Sequence, residues 1–309
     1  MKNWENKRYY SLDYHLRKTY GEKLYKLPLN GSMTCPTRDG TLAVGGCIFC
    51  SRRGSGDFAG HPDLSITKQI EEGRKKLSAK YNGRSYIAYF QAFTNTYAPV
   101  EYLEDIFLQA IREPEVKILS IATRPDCLGP EILSLLSRLN EIKPVWVELG
   151  LQTIHEDSAR FIRRGYELPV FAQAIAALAD IGISAIAQII LGLPGESQEQ
   201  MLDTIRYLNT QPIKGIKIHL LHILKDTDLA TYYQEHPFKI FSLNEYLTLL
   251  GEALALLRPD IVVHRLTGDG PKELLIEPLW TRNKRLVLNS ITKYLKELDI
   301  WQGKDYTKE

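Results

Sequence analysis

The chain has 309 residues, of which 44% are hydrophobic and 25% are charged, and its net charge at pH 7 is +2. This composition excludes a disordered protein, and so small a net charge does not by itself indicate a nucleic-acid-binding protein. There is no run of eighteen or more apolar residues, and the N-terminal MKNWENKRYY lacks the apolar centre of a signal peptide. We therefore expect a cytoplasmic protein without a membrane segment, whose cysteines serve metal binding or catalysis rather than disulfides.

The two ends of the chain are basic and aromatic. Residues 1–30 carry seven Lys or Arg and six Tyr or Trp against three acidic residues. Residues 280–309 carry seven Lys or Arg against four acidic residues, together with Trp280 and Trp301. This combination suits an RNA surface, where cations meet phosphates and rings stack on bases. The alternative is a solvated helix whose tyrosines pack on the rest of the protein.

Three of the four cysteines lie within CPTRDGTLAVGGCIFC, residues 35–50. Three thiols are an odd number for disulfides and one short of a closed tetrahedral zinc site. Soft thiolates also bind iron–sulfur clusters, and a [4Fe–4S] cluster held by three cysteines keeps one iron open for a chelating ligand. Zinc remains the alternative, with Cys127 or His61 as its fourth ligand.

Short apolar runs alternate with helical patterns through the rest of the chain. The apolar runs predict strands at LPLN before Cys35 and at 85–90, 117–123, 144–152, 183–192, 214–223 and 261–266. Helical spacing of apolar residues predicts helices at 99–113, 130–140, 170–182, 197–209 and 242–258. Near-continuous Ile, Val, Leu and Ala in the strands, with a single helix between them, predict a parallel sheet covered on both faces.

The predicted fold class is α/β, a partial (β/α)6-type TIM-like barrel of parallel strands with N- and C-terminal extensions. A doubly wound open sheet is the alternative, and in either fold ligands bind at the C-terminal ends of the strands. We expect a basic and aromatic N-terminal extension at 1–30 and a barrel core at 31–266. We expect a basic helical extension at 267–309 that packs on the barrel.

Several motifs together resemble those of the radical S-adenosylmethionine (SAM) superfamily. Residues 35–50 resemble its cluster motif, with an aromatic residue before the last cysteine and a long gap between the first two. A gap of this length resembles that in the Elongator catalytic-subunit-like branch and, more closely, that in the YtqA/YhcC-type branch. Proteins of the latter branch resemble MnmL. The other motifs at positions typical of this family are QAFTNTYAP (91–99), TRPDCL (123–128), ELGLQT (148–153), RRGY (163–166) and LGLPGES (191–197).

The resemblance implies roles for individual residues. Cys35, Cys47 and Cys50 would hold a [4Fe–4S] cluster, whose fourth iron would chelate the amine and carboxylate of SAM. SAM would also be contacted at the adenine by Phe49, at the ribose by Gln152 and at the carboxylate by Arg164. The remaining positions expected to bind the cofactor are Gln91, Thr123, Arg124, Glu148 and Gln188.

Some of these residues also have a structural interpretation. Gln152 and Glu148 could be polar residues of the barrel interior, satisfied by their neighbours. For His219, His222 and Lys225 we favour a structural role over substrate contact. Cys127 is expected not to be a ligand.

The resemblance also implies a reaction and a substrate. One electron, from a donor such as flavodoxin or ferredoxin, would cleave SAM to methionine and a 5′-deoxyadenosyl radical that abstracts hydrogen from the substrate. The substrate would be tRNA, in which the carboxymethylaminomethyl group of the wobble uridine is converted towards aminomethyl. Two alternatives remain: a radical SAM enzyme acting on a small metabolite or peptide, and a non-catalytic zinc-binding scaffold that interacts with RNA.

Overall fold

The computed structural model describes residues 4–54, 56–78, 85–268 and 270–308. The strands are β1 (Tyr25–Leu29), β2 (Tyr86–Phe90), β3 (Val116–Thr123), β4 (Val145–Gln152), β5 (Ser184–Leu191), β6 (Gly215–Leu220), β7 (Ile223–Leu224), β8 (Val262–Arg265) and β9 (Leu275–Glu277). The helices are α1 (Leu12–Tyr20), α2 (Ile66–Ser78), α3 (Val100–Ile111), α4 (Pro130–Ile142), α5 (Glu156–Phe161), α6 (Leu168–Asp180), α7 (Gln198–Thr210), α8 (Asp228–Glu235), α9 (Leu243–Leu256) and α10 (Lys284–Glu297).

One parallel sheet organises the molecule. Within the described ranges it has seven strands in the order β1-β2-β3-β4-β5-β6-β8, so neighbours in the sequence are neighbours in space. A doubly wound sheet would instead reverse its strand order at a switch point. The predicted α/β fold, a partial TIM-like barrel, is therefore confirmed, with β1 and β8 at its two edges. Since β1 begins at Tyr25, the sheet starts before residue 31.

The floor of the barrel is closed by an apolar layer. Leu16 of α1 and Leu24 pack there against inward-facing side chains of four strands, Ile87, Ile118, Trp146 and Ile186. Helix α1 begins at Ser11, whose side chain accepts a hydrogen bond from the Tyr14 backbone, and ends at Gly21 with φ of 75°. The N-terminal segment therefore plugs the end of the barrel opposite the ligand-binding end.

Replacing Leu16 by alanine tests this role of α1. Leu16 is 2% exposed, so its removal should leave a cavity and lower the free energy of unfolding by about 2–5 kcal/mol. Chemical denaturation followed by circular dichroism measures the change. Lys18→Ala on the exposed side of the same helix is the control. An equal loss of unfolding free energy in both variants would contradict the role of α1 in closing the barrel.

The aromatic residues of both extensions are used largely for internal packing. Trp4 stacks on Tyr10 with ring centroids 6.1 Å apart, and Trp280 packs on Tyr246 at 5.7 Å. Burial raises the pKa of Tyr9 to about 12. Gln302 accepts a hydrogen bond from the Tyr10 backbone at 2.8 Å, which joins the two ends of the chain. These contacts favour the packing interpretation of the extensions over an RNA surface made from these rings.

No helix in the described part of the chain combines the length and the apolar character needed to cross a membrane.

Candidate active site

A cavity of about 280 Å³ lies at the C-terminal ends of the barrel strands. Its lining includes Cys35, Cys47 and Cys50 from the loop that follows β1, and His219 and Arg265 from β6 and β8. The sheet thus brings residues that follow β1 and residues of β8, its two edge strands, to one site. This is where ligands bind in barrels of this type.

The cysteine loop folds around the side chain of Arg38. The Arg38 guanidinium donates to the backbone carbonyls of Cys50 at 3.3 Å and Ser51 at 2.6 Å. Gly46 has φ of 84°, and a Cβ there would lie 2.8 Å from Arg38. The Cys50 backbone donates to Cys47 at 3.0 Å, so the CxxC step forms a turn. Because of these contacts the loop turns its cysteines towards the cavity.

The three thiols fit a cluster with one open iron. All three line the cavity and none is in a disulfide. A hydrogen bond shared with Cys50, together with burial, raises the pKa of Cys47 well above its usual range. Among the described residues, no three His, Cys, Asp or Glu side chains are arranged to hold a single metal ion. Three soft thiols that line one cavity are the donor set that a three-cysteine [4Fe–4S] cluster would need.

The two residues considered as a fourth zinc ligand lie elsewhere. Cys127 lines a different groove beside Thr96 and Pro130, and burial raises the pKa of its thiol to about 12. His61 is exposed, and its Nδ1 lies 3.4 Å from the carboxylate of Asp63. Neither residue lines the cavity of the three cysteines.

Most of the predicted SAM contacts do line this cavity. Gln152 is the most unusual of them, because its backbone has φ of 69° at a register shift near the end of β4. This conformation, costly for a residue with a side chain, folds its amide back over Gly150, where a Cβ would lie 2.7 Å from Nε2. The other predicted contacts in the lining are Phe49, Gln91, Thr123, Arg124, Arg164 and Gln188.

Arg164 is buried and engaged by the protein itself. It is 2% exposed and donates to the carbonyls of Thr153 at 2.7 Å and Tyr166 at 2.9 Å, and to Glu156 Oε1 at 2.9 Å. Its carbonyl accepts a hydrogen bond from Arg124 at 2.7 Å. Arg164 therefore fixes the segment after β4, and a carboxylate of SAM would compete with these bonds.

Glu148 does not line the cavity, contrary to its expected role as a cofactor contact. It has 0% exposure and lies beneath the cavity, where it accepts from Lys26 at 2.9 Å, Ser120 at 3.0 Å and Gln188 at 3.3 Å, and from Lys217. Burial alone would raise the pKa of Glu148, but the charges of Lys217 and Lys26 lower it well below its usual range. Glu148 is thus an ionised support of the cavity floor, as its structural interpretation predicts.

Other residues of the lining were missed or given a structural role by the sequence analysis. His219 and His222 both line the cavity, whereas Lys225 does not. Lys217 and Arg265, which were not singled out, also reach it. The signal that could have found Lys217 is alternation, because it lies two residues before His219 and so on the same face of β6.

Comparisons with known proteins give two matching family models and several similar chains. The Radical SAM superfamily model matches residues 41–208, and the Radical_SAM C-terminal domain model matches residues 213–297. The YtqA protein of Bacillus subtilis is 43% identical over 302 residues, covering 98% of this chain and 94% of YtqA. The tRNA uridine(34) acetyltransferase of Dehalococcoides mccartyi is 26% identical over 156 residues, covering 50% of this chain and 33% of that protein.

A solved structure shares the fold. The archaeal Methanocaldococcus infernus Elp3, with an N-terminal deletion, superposes with a TM-score of 0.66 at 16% identity. The match covers 90% of this chain and 64% of that chain. At this identity the likeness concerns the fold alone.

Proposed function

Because this chain belongs to the radical SAM superfamily, as its motifs predict, we propose that it is a tRNA-modifying enzyme of that superfamily. Members of the superfamily use a [4Fe–4S] cluster and SAM. When bound, these supply a 5′-deoxyadenosyl radical by one-electron cleavage of SAM. The proposed substrate is the carbon-5 side chain of wobble uridine, with carboxymethylaminomethyl converted towards aminomethyl. The proposed setting is the cytoplasm, with flavodoxin or ferredoxin as electron donor.

The observation that carries the choice of tRNA is the similarity to a tRNA uridine(34) acetyltransferase over half of this chain. The rim of the cavity offers independent support. Phe58, which lines the cavity, is 58% exposed. Arg52 and Arg53, next to the last cysteine of the loop, are also exposed. An exposed ring in the cavity lining and exposed cations close to it in the chain suit a base that is turned out of a single-stranded RNA loop.

The residues of the cavity have distinct tasks in this proposal. Cys35, Cys47 and Cys50 hold the cluster, Phe49 contacts the adenine and Gln152 the ribose. The polar side chains that complete the SAM site are Gln91, Thr123, Arg124 and Gln188, while Arg164 holds the segment after β4 in place beside them. Glu148 takes no direct part, because it is enclosed beneath the cavity.

Gln152 offers a test that separates binding from folding. Gln152→Gly should weaken SAM binding by about two- to tenfold, since one hydrogen bond is lost. The free energy of unfolding of this variant should change by no more than about 1 kcal/mol, because glycine adopts positive φ without strain. Gln152→Ala should weaken SAM binding to the same extent. It should keep the backbone strain, because alanine has a side chain at the same positive φ. Equal SAM affinity in wild type and both variants would contradict the ribose contact.

The tRNA proposal is tested by nucleoside mass spectrometry. The reconstituted enzyme, a reductant and SAM are incubated with bulk tRNA from a strain lacking the gene. We expect loss of 5-carboxymethylaminomethyluridine, gain of the aminomethyl product, and formation of 5′-deoxyadenosine. Unchanged nucleosides alongside 5′-deoxyadenosine formation would refute tRNA as the substrate and favour a small metabolite or peptide.

A further inference from the structure

The segment that contains the last helix, α10, is rich in cations that the proposed site does not use. Residues 278–296 hold five Lys or Arg and no acidic residue. The rings of this extension pack inwards, as Trp280 does on Tyr246, so the packing leaves the cations outside. In a chain whose net charge is only +2, this run concentrates positive charge on one segment and indicates an anionic partner.

The cations of α10 lie on the side of the helix opposite its packing face. The buried side chains of the helix, which belong to the hydrophobic core, are Val287, Ile291 and Leu295. At about 100° per residue, Arg285, Lys293 and Lys296 fall on the opposite side, and all three are exposed. The distance along the helix from Arg285 to Lys296 is about 16 Å, at a rise of about 1.5 Å per residue. This length suits several phosphates of one nucleic-acid strand.

The acidic groups that follow this face offset it only in part. Glu297 lies 3.7 Å from Lys293, and both side chains are largely exposed. An exposed pair of this kind contributes little free energy, so Lys293 can exchange the carboxylate for another anion. Asp299, just after the helix, pairs with Arg8 at 2.6 Å. The face of α10 therefore keeps a net positive charge.

The start of α10 is connected to the wall of the cavity. Arg282, which lies just before the helix, is exposed and donates to the carbonyl of Leu275 in β9 at 3.1 Å. Strand β9 pairs with β7, and Leu224 of β7 lines the cavity. The Trp280 indole fixes the same segment by donating to the Phe241 carbonyl at 2.9 Å. The cationic face thus begins at a segment that two short strands join to the cavity wall.

We propose that Arg285, Lys293 and Lys296 bind the phosphate backbone of the tRNA while its wobble uridine enters the cavity. This inference rests on the proposed function and adds to it the surface that holds the RNA outside the cavity. Lysine and arginine meet phosphates without reading the base sequence, which suits contacts that position an RNA.

A membrane is a less suitable partner for α10 than RNA. A helix that lies on a bilayer inserts its apolar face, and the apolar face of α10 is packed in the core. Leu286 and Leu288 are exposed, but they flank the buried Val287 on its two sides and so do not form a second apolar face.

The test replaces the three cations together, in the variant Arg285→Gln, Lys293→Gln and Lys296→Gln. Glutamine forms helices about as well as lysine and arginine, so α10 should stay folded. Binding of bulk tRNA from a strain lacking the gene to holoenzyme with cluster and SAM is measured at several salt concentrations. The affinity at low salt should fall by at least about tenfold. The slope of its logarithm against the logarithm of salt concentration should become shallower by about two to three, since each lost phosphate contact removes roughly 0.7–0.9.

The matched control replaces three exposed lysines of α2, in the variant Lys68→Gln, Lys75→Gln and Lys76→Gln. Its tRNA affinity and its salt slope should stay at the wild-type values. Equal affinity and slope in wild type and the α10 variant would overturn the inference. An equal loss in the α2 variant would overturn it as well, because tRNA would then respond to total charge rather than to this face.

Three further outcomes assign a failure to its cause. SAM cleavage without RNA should be unchanged in the α10 variant, and its loss would show that the substitutions disturb the cavity, which would overturn the inference. If wild type binds tRNA through α10 but forms no modified nucleoside, the phosphate-binding face is retained and the proposed modification is refuted. Binding of wild type to phosphatidylserine vesicles through α10, with no binding of tRNA, would make the partner a membrane and overturn the inference.

Discussion

Replacing Cys47 by alanine is expected to abolish both iron binding and SAM cleavage. Cys47 shares a hydrogen bond with Cys50 and faces the same cavity as Cys35. Two remaining thiols do not hold a [4Fe–4S] cluster with a single open iron. After anaerobic reconstitution we expect a colourless protein and a loss of 5′-deoxyadenosine formation of at least about a hundredfold, since the cofactor carries the difficult chemistry.

Cys127→Ala is the matched control for this experiment. Cys127 lines a separate groove, and burial raises the pKa of its thiol to about 12. The variant should keep wild-type iron content and SAM cleavage. Loss of iron in Cys127→Ala, or full activity in Cys47→Ala, would contradict the assignment of the three ligands.

Replacing Glu148 by alanine is expected to destabilise the barrel strongly. The carboxylate is fully buried and holds Lys26 and Lys217 from β1 and β6 across the barrel. Without it, the buried Lys217 and the partly exposed Lys26 would both lose the carboxylate that they share. The free energy of unfolding should fall by about 3–5 kcal/mol, the usual loss when one partner of a buried ion pair is removed. Denaturant unfolding of the cluster-free protein at pH 7 measures this change without interference from the cofactor.

Glu199→Ala gives the comparison for an exposed ion pair. Glu199 pairs with Arg206 at 2.6 Å on the surface of α7, where such a pair contributes about 0–1 kcal/mol. A similar small loss in Glu148→Ala would mean that the floor of the cavity is not held by this carboxylate. The pH dependence provides a second check. Since the pKa of Glu148 is lowered in the folded protein, its contribution is present at neutral pH and is lost as acid protonates it.

The central strands could be predicted from the sequence with little error. The run at 117–123 corresponds to Val116–Thr123, and the run at 183–192 to Ser184–Leu191. Such strands are covered on both faces and therefore read as continuous apolar runs. The strand predicted at 214–223 is interrupted, because Leu221 and His222 separate β6 from β7 and the latter pairs with β9. No local pattern marks that change of partner.

The helices missed by the sequence analysis are rich in polar residues. Helix α2, ITKQIEEGRKKLS, buries Ile66, Gln69 and Ile70. Ile66, Ile70 and Leu77 do follow helical spacing, so the pattern was present, but the charged residues between them outnumber them and the segment was not assigned. Helix α1 buries one residue, Leu16, yet it closes the barrel floor. Its role depends on contacts with strands far away in the sequence, and local spacing does not contain that information.

The residue types of the candidate site could be predicted from sequence motifs. The motifs did not predict which of these side chains lie in the cavity lining and which lie beneath it. The cysteines and Gln152 carry recognisable motifs and line the cavity. Glu148 belongs to the same ELGLQT motif as Gln152, but its carboxylate lies beneath the cavity and is met there by two lysines. His219 reaches the lining because β6 turns it inward. The curvature of the sheet decides which inward-facing side chains reach the cavity and which contact one another in the barrel interior.

The most direct test of the central claim is anaerobic reconstitution of the wild-type chain with iron and sulfide, followed by one-electron reduction in the presence of SAM. We expect about four iron atoms per chain and formation of 5′-deoxyadenosine and methionine in equal amounts. A single metal ion held by four protein ligands, with no 5′-deoxyadenosine formed, would contradict the claim that three thiols hold a cluster with an open iron.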